Sequence, residues 1–211
     1  MLLDLVVQSI QEFQKDCLNL FERNYPAVHN RGMTEQHLGQ AFARRLCRTL
    51  DSFSQPHHFA TLESCNDKDQ PHRFRISTEH GTVWLVTQHM VSAGKHCREN
   101  LLNDIHEWQS EYCYAIQPND LLLVISDHWL SRSKQSREIL HWWMGELPDA
   151  VDEYAEQGIT LYQSGSLLSQ ELDKRFNLSP CFLKFGHPLK RLKDQQMVRK
   201  YLQLYAVVQW Q

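Results

Sequence analysis

The sequence lacks the runs and spacings by which several large classes of protein are recognised. No stretch of its 211 residues reaches the roughly 18 to 20 apolar residues that a helical membrane span needs. "MLLDLVVQSIQEF" has no basic n-region, and Asp4 and Gln8 interrupt any apolar h-region, so a cytoplasmic protein without a secretory signal is expected. The six cysteines, Cys17, Cys47, Cys65, Cys97, Cys113 and Cys181, form no C-x-x-C pair, which argues against a zinc ribbon or a dithiol redox motif and points to reduced thiols. Twelve histidines are many for this length, yet none stand at H-x-x-x-H or H-E-x-x-H spacing, and no histidine-based metal site is expected. Neither a G-x-x-x-x-G-K-[ST] loop nor a G-x-G-x-x-G turn is present, and "QSGSLLS" lacks the second glycine of a nucleophile elbow. Charge of one sign does not dominate either: 22 Lys and Arg stand against 25 Asp and Glu, and a net charge of −3 demands no nucleic-acid partner.

What is present is alternation of helical and strand-like periodicity over a length that suits one domain, 1–211. Leu3, Val6, Ile10, Phe13, Cys17, Leu20 and Phe21 recur at spacings of three and four and predict an amphipathic helix over 2–23, the main part of an N-terminal segment 1–30. "NYPAVHNRG" breaks that pattern, and Thr34 is a good N-cap for a second helix over 34–50 with Glu35 in its first turn. Three strand-like runs follow at 57–64, 72–78 and 82–90, the last two joined by the tight "EHG", so an antiparallel meander is expected. Cys97, Leu101, Ile105 and Trp108 predict a helix over 96–110, and "DLLLVIS" at 120–126 suits a strand buried on both faces. Beyond it, the segment 128–211 reads as an elaboration: a helix through Ile139, Trp142, Trp143 and Leu147, a strand "ITLYQ", a helix over 166–176, a strand "CFLKF", and a closing helix "DQQMVRKYLQLYAVVQW".

Charge is unevenly placed. The stretch 138–156 holds six acids and no lysine or arginine, whereas 184–200 is basic, with Lys190, Arg191 and Lys193 near its centre, so the latter is a candidate for meeting phosphates or an acidic partner. Trp129, Trp142 and Trp143 are candidates either for a docking face or for core packing.

The order helix, three antiparallel strands, helix, buried strand over 34–126, together with "HRFRI" and the third-strand ending "WLVTQHM", resembles the core of the restriction-endonuclease-like or PD-(D/E)XK superfamily. That resemblance implies an α/β fold with this core, an N-terminal helix and a C-terminal helical elaboration. In the family an acidic residue on the second strand and an acid-x-lysine pair on the third hold Mg²⁺ and orient the attacking water. Thr87 and His89 stand at the acid and lysine positions, two residues apart and so on one face of a strand, and Arg75 stands at the second-strand acid. Glu35 resembles the helix-borne glutamate that many members add to the metal shell. With a guanidinium and no strand carboxylate, the usual metal chemistry is expected to fail.

The expected function is therefore a divergent, catalytically inactive nuclease fold that needs no cofactor and engages DNA or RNA backbone through Arg75, His89 and the basic segment. A protein partner such as a helicase or nuclease subunit of a bacterial DNA-processing or defence system is the other expected role, and no membrane partner is. Two alternatives stand beside these. One is an active Mg²⁺-dependent nuclease using Glu35 with migrated groups, drawn from Glu63, Asp67, Asp69, Glu79 and Lys95, and His89 as general base. The other is an unrelated α/β interaction module.

Overall fold

A computed structural model describes residues 2–28, 35–62, 73–191 and 193–210, with the side chains of 22–28 and 35–36 outside the description. Thr34, Glu63, Asp67 and Asp69 lie outside the described residues, as does the side chain of Glu35. The chain is mixed α/β, with seven helices and one six-stranded, mostly antiparallel sheet among the described residues.

Two long helices come first, α1 (Leu2–Val28) and α2 (Glu35–Ser52). Pro26, where a break was expected, lies in the last turn of α1, so the hydrogen bond its missing N–H would have made to the Glu22 carbonyl is lost only from the end of the helix. The meander follows as β1 (His57–Leu62), β2 (Arg73–Thr78) and β3 (Gly81–His89), each antiparallel to the next. Gly81, at φ +129, supplies the left-handed residue that closes the turn between β2 and β3. Helix α3 (Lys95–Tyr112) then crosses over, and β4 (Leu121–Trp129) returns parallel to β3. A crossover of this length is what parallel pairing demands.

The remaining elements are short helices α4 (Lys134–Arg137), α5 (Ile139–Met144) and α6 (Val151–Ala155), then α7 (Leu168–Phe176), β5 (Pro180–Gly186) and β6 (Tyr201–Gln209). The sheet order is β1-β2-β3-β4-β6-β5.

Two expectations about this C-terminal part fail. The closing segment is a strand, not a helix: Tyr201 to Val208 are all buried, because β6 lies between β4 and β5 with side chains covered on both faces. A continuous apolar run has no period, so it reads equally well as a buried helix. "ITLYQ" shows the reverse error. Ile159 and Leu161 are buried and Thr160 and Tyr162 exposed, as a strand requires, but among the described residues no strand pairs with it, and it packs as irregular chain.

The sheet divides two cores. Val83, Leu85, Leu121, Leu123, Ile125, Tyr205 and Val207 face α1 and α2. Trp84, Val86, Leu122, Val124, Leu204 and Ala206 face α3, α5 and α7. Trp142 and Trp143 are both fully buried in this second core, so neither forms a docking face. Helix α5 is enclosed on two sides: Trp143 Nε1 donates to the Tyr205 carbonyl of β6 at 3.0 Å, and Trp142 Nε1 to Glu171 of α7 at 3.3 Å. Enclosure on two sides is what lets adjacent side chains of one helix both be buried.

Candidate functional site

The carboxyl ends of β3 and β4 lie side by side, and in open α/β sheets that is where ligands are bound. Parallel register sets Thr87 beside Ile125, Gln88 beside Ser126 and His89 beside Asp127. Thr87 and His89 share the face covered by α1 and α2, together with Asp127 and Trp129 of β4 and Tyr201, Gln203 and Tyr205 of β6, since residues of one parity share a face.

His89 Nδ1 donates to Asp127 Oδ1 at 2.6 Å, and Tyr201 Oη donates to Asp127 Oδ2 at 2.7 Å. The Asp127 side chain is 0% exposed, whereas that of His89 is 24% exposed. A carboxylate without water is stabilised by charge-assisted hydrogen bonds, and here both oxygens have one. The bond at Nδ1 to a fully buried carboxylate fixes the orientation of the His89 ring at the strand end. Behind this chain, Tyr205 Oη donates to Gln203 Oε1 at 2.9 Å, and Gln203 Nε2 lies 3.5 Å from Cys17 Sγ. Burial pushes the Cys17 thiol up to about 12 and holds the Tyr205 phenol well above its ordinary value, so neither is a nucleophile at neutral pH.

The opposite face of the same strand ends is rigid. Ser126 Oγ donates to the Gln88 carbonyl at 2.8 Å. His128 Nδ1 donates to the Met90 carbonyl, and its Nε2 accepts from Ser136 Oγ at 2.6 Å. Burial first, against the bond to Met90, lowers the His128 pKa and keeps the ring neutral. Arg98 ties the loop after β3 to the 131–138 segment: its guanidinium donates to Ala93 O at 3.0 Å, Ser164 Oγ at 3.0 Å and Gln135 O at 3.1 Å, and stacks 4.9 Å above the Trp142 ring.

The residues singled out in the sequence do not all meet. Thr87 is fully buried beneath α2, where a Cβ added at Gly39 would lie 3.1 Å from its Oγ1, so it is not part of an open site. Arg75 is a correction. It pairs with Trp84 and lies 5.8 Å over that ring, on the α3 side of the sheet and away from His89. Directly opposed residues share a face, and the register set by the Gly81 turn puts Arg75 on the parity of Trp84 rather than that of Thr87. Lys95 is exposed at the first turn of α3, which opens after the five-residue loop 90–94 that follows β3. Glu35 begins α2.

Lys190 forms an isolated bridge with Met197, Arg191 lies 3.9 Å from Asp194, and Lys193 is exposed. The Val198 N–H donates to Leu189 O at 2.8 Å, closing a hairpin that leads into Tyr201, the β6 residue beside Trp129. The basic segment therefore reaches the sheet at the end where His89 stands. Asp127 and Tyr201 were not legible as site residues; the only signal was a polar "SDH" closing an apolar run.

The described donor set does not fit Mg²⁺. That ion needs open carboxylate oxygens, and both oxygens of Asp127, fully buried, are already hydrogen-bonded. Among the described residues, no group of three or more His, Cys, Asp or Glu side chains converges as metal ligands. No helix among the described residues is long and apolar enough to cross a membrane.

No protein-family model and no curated protein matches the chain. A solved structure of truncated Caenorhabditis elegans TDP2 is similar over 78% of this chain and 80% of its own, at 8% identity and a TM-score of 0.29, a likeness too slight to carry any argument about fold or function.

Proposed function

We propose that this chain is a divergent restriction-endonuclease-like protein that engages nucleic-acid backbone at the carboxyl ends of β3 and β4 and does not cleave it by metal chemistry. The order α2, β1-β2-β3, α3, β4, with β4 parallel to β3, supports the family part of that reading. One observation carries the functional part: His89, held by buried Asp127, stands at the sheet end to which the hairpin bearing Lys190, Arg191 and Lys193 also leads. Imidazole and lysine and arginine side chains bind phosphate oxygens without reading sequence, and no chemistry on phosphorus is required of them. A buried partner stops His89 from swinging away, so the ring is presented in one orientation.

The test is fluorescence anisotropy with labelled single- and double-stranded DNA and RNA across a salt series, with Mg²⁺ or Mn²⁺ added in a parallel cleavage assay. Affinity is expected to fall linearly in log–log form with salt. Arg191→Ala with Lys193→Ala should shallow that slope by about one per phosphate contact removed, and His89→Gln should weaken binding to every sequence alike. Absence of salt-sensitive binding would end the proposal. Metal-dependent cleavage abolished by Glu35→Ala would establish the catalytic alternative in its place.

A further inference from the structure

At the opposite end of the sheet, a cavity of about 360 Å³ is walled by Gln109 of α3, Asp173, Phe176 and Asn177 at the end of α7, and Gln209 and Trp210 at the end of β6. We propose that it is a binding site for a nucleoside whose base carries an exocyclic amine beside an unprotonated ring nitrogen on its pairing edge, adenosine or cytidine. The proposal is independent of the backbone site at His89.

Both aromatic walls are held from outside the cavity. Trp210 packs edge-on against fully buried Trp108, with centroids 5.6 Å apart and planes at 77°. Its backbone is pinned on both sides, the N–H donating to Asp120 O at 2.8 Å and the carbonyl accepting from the Asn119 N–H at 3.0 Å. Phe176 stacks on His106 at 6.2 Å. Two preset rings supply the π surface on which any base stacks.

The polar walls choose among bases. Three side-chain amides line it, of Gln109, Asn177 and Gln209, the last with Nε2 3.5 Å from Asn119 Oδ1, and an amide carries a donor beside an acceptor, the pattern that pairs with the amine and ring nitrogen of adenine. Asn177 caps α7 in the left-handed region at φ 55, ψ 40, its N–H donating to Asp173 O at 2.9 Å, so the carbonyl end of the helix closes at this wall. That end carries negative partial charge and Asp173 adds a carboxylate, while of the two cations in the same turn Arg175 is engaged with Glu99 at 2.7 Å and Lys174 is not among the residues that wall the cavity. A wall of this sign favours the two-donor exocyclic amines of adenine and cytosine over uracil, whose single N3–H is flanked by two carbonyl oxygens. The volume lies near the lower limit of small-molecule pockets, about 300 Å³, and suits a single nucleoside.

The full chain would be titrated with adenosine, cytidine, uridine and glucose by isothermal calorimetry and saturation-transfer NMR. Adenosine and cytidine are expected to bind, and uridine to bind about tenfold more weakly. Asp173→Asn, at an exposed position, should weaken adenosine about tenfold without weakening uridine, a crossover that a merely structural role for Asp173 would not produce. Trp210→Leu should weaken both nucleosides about tenfold through lost stacking. No nucleoside binding at millimolar concentration, equal binding of all three, or binding of glucose alone would overturn the proposal. Because His89 is not in this cavity, failure here would leave the salt-dependent backbone assay unaffected, and failure there would leave this titration unaffected.

Discussion

Acidification should destabilise this protein through His187 before its carboxylates are titrated. His187 is buried between the short helix α6 and the start of β6: its Nδ1 donates to the Tyr201 carbonyl at 2.9 Å, and its Nε2 accepts from Tyr154 Oη at 2.7 Å. That arrangement satisfies the neutral ring completely. Burial first, and then the Arg199 charge, lower its pKa from 6.5 to about 4, against the opposing bond to Tyr201. Since the folded value lies below the unfolded one, the unfolded chain takes up the proton first as pH falls. The stability is fully present above the unfolded value and is lost as pH falls through the folded one. From these two values the loss is about 2 kcal/mol between about pH 7 and about pH 5, and about 3 kcal/mol by about pH 4. Urea denaturation at a series of pH values would measure it, with His187→Gln as the comparison because an amide retains one donor and one acceptor and does not titrate. The wild type should lose about 2 kcal/mol more than the variant between about pH 7 and about pH 5. Equal losses would refute the reasoning and place the protonated ring comfortably within the fold.

Two further perturbations test what positions the strands. Gly39→Ala would drive a methyl into the Phe74 ring, which is fully buried and cannot retreat; overpacking should outweigh the gain in helix propensity and lower stability by about 1 to 2 kcal/mol in the same urea assay. Asp120, almost fully buried, accepts from the Thr82 N–H at 2.8 Å, Trp84 Nε1 at 2.9 Å and the Gln117 N–H at 3.0 Å. Asp120→Ala leaves these donors without an acceptor and should cost about 3 kcal/mol or more, with a blue shift in tryptophan fluorescence as Trp84 loses its bond.

Much of the scaffold was legible because its signals are local. The spacing of Leu38, Phe42 and Leu46 marks one face of α2, and the alternation around "EHG" marks a hairpin, each decided by residues within a turn or two of one another. The helix between β3 and β4 was legible from the spacing of Cys97, Leu101, Ile105 and Trp108, whereas the parallel pairing it permits was decided by the sheet. The carboxyl end of β3 also stood out from the sequence, since "TQH" closes a buried strand with polar side chains.

What the sequence by itself determined, then, is where the chain alternates between periods of two and of about 3.6, and which side chains of one element share a face. Which face meets which partner was decided only in three dimensions. Arg75 left the candidate site because register, a property of two strands, put it on the parity of Trp84. Asp127 entered it because a parallel pairing across 38 residues set it beside His89, and Tyr201 joined them from a further 74 residues along the chain. β6 is a strand because β4 and β5 leave an edge on each side of it, and no local period in "YLQLYAVVQ" encodes that. Burial on both faces removes the alternation that sequence reading depends on, and hydrogen bonds between distant residues leave no periodic trace, so the centre of the sheet and the polar chain at its end were set by packing.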